Sequence, residues 1–169
     1  MQEVLAVTAV LAVLAGLSVP AVERWIRRQR LDAVAVALQA DMALARSMAM
    51  QRRAVVTVCP SADGRSCQAS SNWSNGWISF ADADRDGART EGEPLLSVRT
   101  GSASGVVVRL AATDPRYVSY RANGRAHLRT GAFQAGNWLI CVQGGQDGLR
   151  LLLNAVGRVR LEEVRGVCS

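Results

Sequence analysis

The sequence has no lysine and one histidine, so all 20 of its basic side chains are arginines. Without lysine there is no Schiff-base chemistry, and a lone imidazole excludes His-rich metal sites. A Ser-His-Asp triad could use only His127, and no nucleophile–base spacing points to one. The chain has no C-x2-C pair, no internal repeat, no low-complexity tract and no long linker. It also lacks the strand–helix alternation of a parallel sheet. We therefore expect no enzyme activity. What is present is 169 residues, enough for one ordinary domain, with 49% apolar and 20% charged residues. Four cysteines suit two disulfides in an exported protein. The formal charge is +6 and the pI about 10.1.

Residues Val4 to Val19 carry no charge. As a helix they span roughly 24 Å, slightly short of a bilayer core, and Pro20, Ala21 and Val22 lengthen the run. Met1 and Gln2 supply no basic leader, while Arg24, Arg27, Arg28 and Arg30 follow the run. That asymmetry places the remainder of the chain in the cytoplasm, against the disulfides that its cysteines imply. A basic leader upstream of Met1 would remove the conflict. Glu3 stands at the edge of the run, where a carboxylate needs water or a partner.

Pro20 should kink the helix rather than end it. Beyond it Val22, Trp25, Ile26, Leu31, Val34, Leu38, Met42, Ala45 and Met48 recur at spacings mostly of three and four. That predicts one apolar face of an amphipathic helix ending near Met50, with Asp41 among the residues on the rest of its circumference. The period then changes. Ala54–Cys59, Trp77–Phe80, Leu95–Arg99, Val106–Leu110, Tyr117–Tyr120, Ala126–Leu128, Trp138–Val142, Leu149–Leu153 and Arg158–Leu161 are strand candidates. Asn123-Gly124 and Ala155-Val156-Gly157 read as tight turns. The predicted class is α+β, with an antiparallel sheet laid on the helix. Its parts are a hydrophobic segment 1–22, an amphipathic helix 23–52 and a β-rich head 53–169.

Glu3, the uncharged run, Pro20 and the long helix together resemble a type IV pilin N-terminus. Val-Cys-Pro-Ser-Ala-Asp-Gly-Arg-Ser-Cys, then Asn-Trp-Ser-Asn-Gly-Trp-Ile-Ser-Phe-Ala-Asp-Ala-Asp-Arg-Asp-Gly, resembles the GspH/FimT family of minor pilins. Gly157-Arg158-Val159-Arg160 resembles the G-R-x-R motif of its FimT branch. The resemblance covers almost the whole chain. It implies a pilin-like fold, an inner-membrane stage before assembly, and other pilin subunits as partners through the helix. The head would then stand in the periplasm or outside the cell. It gives Glu3 the role of pairing with a neighbouring subunit's N-terminal amine, and Pro20 that of the helix-kinking proline. The family's basic leader, processed Gly and Phe are not in this sequence. Aligning Glu3 and Pro20 puts Met1 two residues inside the mature protein, so we expect the natural chain to begin upstream.

The G-R-x-R resemblance implies DNA binding in natural transformation. Residues 95–147 carry +4 and 148–169 carry +2, so the basic excess lies in the C-terminal half. Arg158 and Arg160 are two apart, so in a strand they point the same way. Guanidinium groups suit phosphate because they are permanently charged and bond bidentately. Gly157 would allow the turn that exposes them, and Arg150 and Arg165 would support them. The plain alternative is a solvated basic strand on a structural or priming minor pilin, or on a type II secretion pseudopilin. Binding to duplex DNA would be independent of sequence, and three phosphate contacts give a salt slope of roughly −3.

Asp82, Asp84, Asp86 and Glu93 fit calcium-loop spacing. Strand candidates flank them, and Arg85 and Arg89 weaken the anionic field, so we favour an acidic turn, with no cofactor. Four cysteines permit three pairings. We favour Cys59–Cys67 and Cys141–Cys168 over a zinc site. Trp73, Trp77 and Trp138 read as core anchors rather than base-stacking platforms, and His127 as a strand surface residue.

Overall fold

The computed structural model describes residues 2–101 and 105–168, with the first twenty of them, 2–21, as backbone only. Glu3 and Pro20 belong to that stretch, so their predicted side-chain roles lie outside the described residues. Helix α1 spans Gln2–Arg52 and runs on through position 20. Eight strands follow: β1 (Val56–Pro60), β2 (Gly76–Ala81), β3 (Leu95–Thr100), β4 (Val106–Ala112), β5 (Val118–Tyr120), β6 (Gly136–Val142), β7 (Gly148–Leu153) and β8 (Val159–Val164). The chain divides into two compact units, Met1–Arg30 and Leu31–Ser169.

In the first unit Val22, Trp25 and Ile26 are exposed, contrary to their predicted place on a packed face. Periodicity identifies an apolar face, but only a partner surface buries it. Arg27 pairs with Glu23 one turn earlier at 3.1 Å.

In the second unit Leu31, Val34, Ala35, Leu38, Met42, Ala45 and Ala49 are buried at helical spacing, and Met48 packs beside them. Two four-stranded sheets, both antiparallel, meet this stripe: β3-β2-β1-β5 and β4-β6-β7-β8. The expected single sheet is thus two. Period-two patterning reveals strands but not partners, and here β4 leaves the first sheet before β5 returns to it beside β1. One core joins Val56, Val58, Trp77 and Tyr120 of the first sheet to Val108, Trp138, Ile140 and Leu151 of the second. Trp73 meets Trp138 edge to face at 5.5 Å. The backbone on either side stitches the sheets together: Trp73 N donates to Val108 O, and Leu110 N to Ser71 O. All three tryptophans expected in the core are there.

Asp41 is not on a solvated side of the helix. It is buried, accepts the Trp77 indole N–H at 2.9 Å, and is held bidentately by Arg99 at 3.0 and 3.1 Å. Ala126–Leu128 is not a strand either. It makes two isolated bridges, Tyr120↔Ala126 and His127↔Phe133. His127 N donates to Ser119 O of the adjacent β5 edge, and the buried Gln134 side chain completes that edge, accepting from Ser119 N and donating to Tyr117 O. His127 is accordingly buried, not on a strand surface.

Candidate anion-binding surface

Strands β7 and β8 form the C-terminal hairpin, paired from Gly148↔Val164 to Leu153↔Val159. Its turn is built by Asn154. The Asn154 side-chain oxygen accepts from Val156 N and Arg158 N, while Asn154 N donates to Arg158 O and Gly157 N donates to Asn154 O. Gly157 takes φ +78°, a conformation that glycine adopts without strain. It is buried against the Asn123-Gly124 turn, so tightly that a Cβ would run into Gly124 O and lie 3.2 Å from Arg125 Cα. Gly124 O also accepts a 2.8 Å hydrogen bond from Arg46 Nε of α1. The two turns and the helix thus converge on one carbonyl group.

Arg158 and Arg160 are exposed, and Val159 between them packs on the core. Alternation therefore puts both guanidinium groups on the outer side, lining a groove of 380 Å³ with Leu152, Leu153, Asn154 and Val159. Arg160 bonds Glu162 at 2.6 Å while its side chain stays 74% exposed. Glu162 also lies directly opposite Arg150 across the β7–β8 ladder. One carboxylate is therefore bonded to one arginine of the expected site and placed across the ladder from another. Arg150 is half-buried and its Nε has no hydrogen-bond partner. Arg165 lies past the end of β8, five residues and roughly 16 Å from Arg160 along an extended chain. The structure brings Gly157, Arg158 and Arg160 together, sets Arg150 across the ladder from Glu162, and leaves Arg165 apart.

A family profile described as type II transport protein GspH matches residues 34–157, most of the chain. The chain belongs to the GspH family. The match ends at Gly157, so membership says nothing of Arg158 or Arg160. The fold of this GspH-family chain is that of a minor pilin. The type IV minor pilin FimU of Pseudomonas aeruginosa PAO1 superposes with a TM-score of 0.62 at 22% identity, over 80% of this chain and 90% of that one. The minor pseudopilin EpsH of the Vibrio cholerae type 2 secretion system superposes at 0.54 and 12% identity, over 79% and 96%. No curated protein gives a significant sequence match.

Both expected disulfides of this GspH-family head are present, Cys59–Cys67 and Cys141–Cys168. The second ties the chain end to β6, and Gly148 leaves room for it: a Cβ there would lie 2.6 Å from Cys168 Sγ. In the acidic loop, Asp82, Asp84 and Asp86 each bring one carboxylate oxygen within 4.8 Å of the others. Glu93, the fourth residue that fits the calcium-loop spacing, accepts from the backbone N–H groups of Ala83 and Thr90 at 2.7 and 3.0 Å. Asp82 accepts from Thr57 and Gly87, and Asp84 and Asp86 cap amides within the loop. Those bonds order the loop and leave the buried Asp82 Oδ1 without a hydrogen-bond partner. Burial pushes the Asp82 carboxyl above the usual range, against the hydrogen bond from Thr57.

Two features have no local sequence signal. Glu162 is placed opposite Arg150 only by the β7–β8 register. The contact of Gly157 with Gly124 joins turns 33 residues apart, a distance that no local pattern reports.

Proposed function

We propose that this chain is a minor type IV pilin whose head binds duplex DNA for uptake, independently of sequence, through Arg158 and Arg160. Its helix resides in the inner membrane before assembly and then packs with other pilin subunits in a fibre. The observation that carries the reading is the exposed pair of guanidinium groups on the outer side of a hairpin whose turn is locked on α1 and the 123–125 turn. Such groups bond phosphate oxygens and read no bases. One subunit then binds weakly, and several copies along a fibre raise the apparent affinity.

A second reading is a structural or priming subunit of a pilus or secretion pseudopilus. The family description and the Arg160–Glu162 pair favour it. The two separate in a direct titration of labelled duplex with the full chain in non-ionic detergent. The DNA reading expects binding at low salt that is far weaker in Arg158→Gln/Arg160→Gln. No binding by the wild-type chain leaves the assembly role.

A further inference from the structure

A second basic feature lies around the end of β5. Arg85, Arg121, Arg129 and His127 line one cavity of 130 Å³ together with Val55, Ser119 and Leu128. No carboxylate lines it. Arg85 is carried there by a backbone at φ +63°, in the left-handed region that a non-glycine residue rarely occupies. Arg121 continues β5, and Arg129 sits in the turn closed by Gly131 N to Leu128 O. The nearest acids are otherwise engaged. Asp114 is ion-paired with Arg116 at 2.7 Å, and that bond, with Arg129 nearby, holds its carboxyl below the usual range. Asp82 stands behind the wall, bonded to Thr57, which in turn meets Ser119. Asp84 and Asp86 flank Arg85 on the exposed loop. Three arginines lining a space of this size can supply the donors that one tetrahedral anion needs.

A chain of contacts links the cavity to the surface described above. His127 packs on Phe133 at 5.2 Å, the Arg125 guanidinium lies over the same Phe133 ring at 5.4 Å, and Gly157 abuts Arg125. Phe133 is 55% exposed, so the path from Arg158 to the cavity carries an aromatic face beside its charges. We infer that this cavity is a phosphate site that takes one backbone phosphate of the DNA strand lying across Arg158 and Arg160. The inference rests on the DNA reading above and supplies its third phosphate contact.

The test compares the full chain in non-ionic detergent with Arg121→Gln/Arg129→Gln and with Arg158→Gln/Arg160→Gln. Each is titrated with duplex DNA across salt and, separately, with inorganic phosphate while the His127 ring resonances are followed. We expect Arg121→Gln/Arg129→Gln to melt as the wild type does. Its duplex affinity should fall about tenfold at 0.1 M salt, and its salt slope should shrink by about 0.9. Its phosphate-induced shift at His127 should vanish. Unchanged duplex binding in that variant, with binding lost in Arg158→Gln/Arg160→Gln, overturns the inference and leaves the DNA reading standing. The converse pattern supports the cavity and overturns the C-terminal pair. A phosphate shift at His127 without any duplex binding overturns DNA as the ligand, and no response to either overturns both.

Discussion

Gly157 and Gly124 lie against one another so closely that the first has no room for a side chain. The Gly124 carbonyl that fills this space is itself fixed by Arg46. Glycine in the G-R-x-R turn is thus a packing requirement as well as a conformational one. Gly157→Ala must tolerate both φ +78° and a backbone collision. We expect a loss of about 2–4 kcal/mol, read by chemical denaturation. Arg158→Gln, on an exposed side chain, should cost about 0.5 kcal/mol or less. Equal losses in the two variants would contradict the packing account.

Glu162 bonds Arg160 and faces Arg150. Exposed ion pairs of this kind contribute little to stability. Close to a phosphate, however, the carboxylate repels the ligand and occupies a donor. Glu162→Gln should therefore strengthen duplex binding by about two- to fivefold, near 0.5–1 kcal/mol, with little change in melting temperature. Weaker binding in this variant would place the DNA elsewhere.

Asp41 holds Trp77 and Arg99 together under the first sheet. Asp41→Ala leaves a buried indole N–H and a guanidinium without their acceptor. The expected loss is about 3 kcal/mol. Arg99 is 48% exposed at its side chain, so Arg99→Ala should cost less, about 1–2 kcal/mol. Urea titration of both variants gives the comparison, and the reverse order would contradict the assignment.

Two aspartates respond to acid with opposite sign. Asp63 accepts from the Ser66 hydroxyl, the Ser66 and Arg65 amides and the Ser61 hydroxyl, and these bonds hold its carboxyl far below the usual range. A depressed native pKa contributes stability above the unfolded value, about 3.9, that is lost as pH falls toward the native one. Asp82 is raised by burial, so its ionisation opposes folding and its protonation in acid favours it. Asp82→Asn keeps an acceptor for Thr57 and Gly87 without the charge. It should match or exceed wild-type stability at pH 7, with the advantage shrinking toward pH 4. Asp63→Asn should be destabilised at pH 7 and converge on the wild type in strong acid. Denaturation midpoints across this range decide both.

The long helix, most strand positions and both turns were legible because each depends on local periodicity or on Gly and Asn at fixed offsets. Leu31, Leu38 and Met42 announced the buried stripe by spacing alone. Trp25 obeys the same spacing and is exposed, since a pattern cannot say where its partner surface begins. Pairing across the fold stayed hidden for the same reason. Nothing near Asp41 foretells Arg99, 58 residues on. A side chain that shares the work of a strand is also invisible in a pattern of hydrophobic residues: at Ala126–Leu128 isolated bridges and the Gln134 side chain together satisfy the β5 edge. At the site, adjacency made Arg158 and Arg160 readable, whereas Arg85, Arg121 and Arg129 converge only through the turns that carry them.

The salt dependence of duplex binding by the full chain tests the central claim most directly. With phosphates at Arg158, Arg160 and the cavity, log affinity against log salt should fall with a slope of roughly −3 for the wild type. In Arg158→Gln/Arg160→Gln the slope should shrink to roughly −1, with the remaining binding far weaker. A slope unchanged by that double substitution, or no binding by the wild-type chain at low salt, would contradict it.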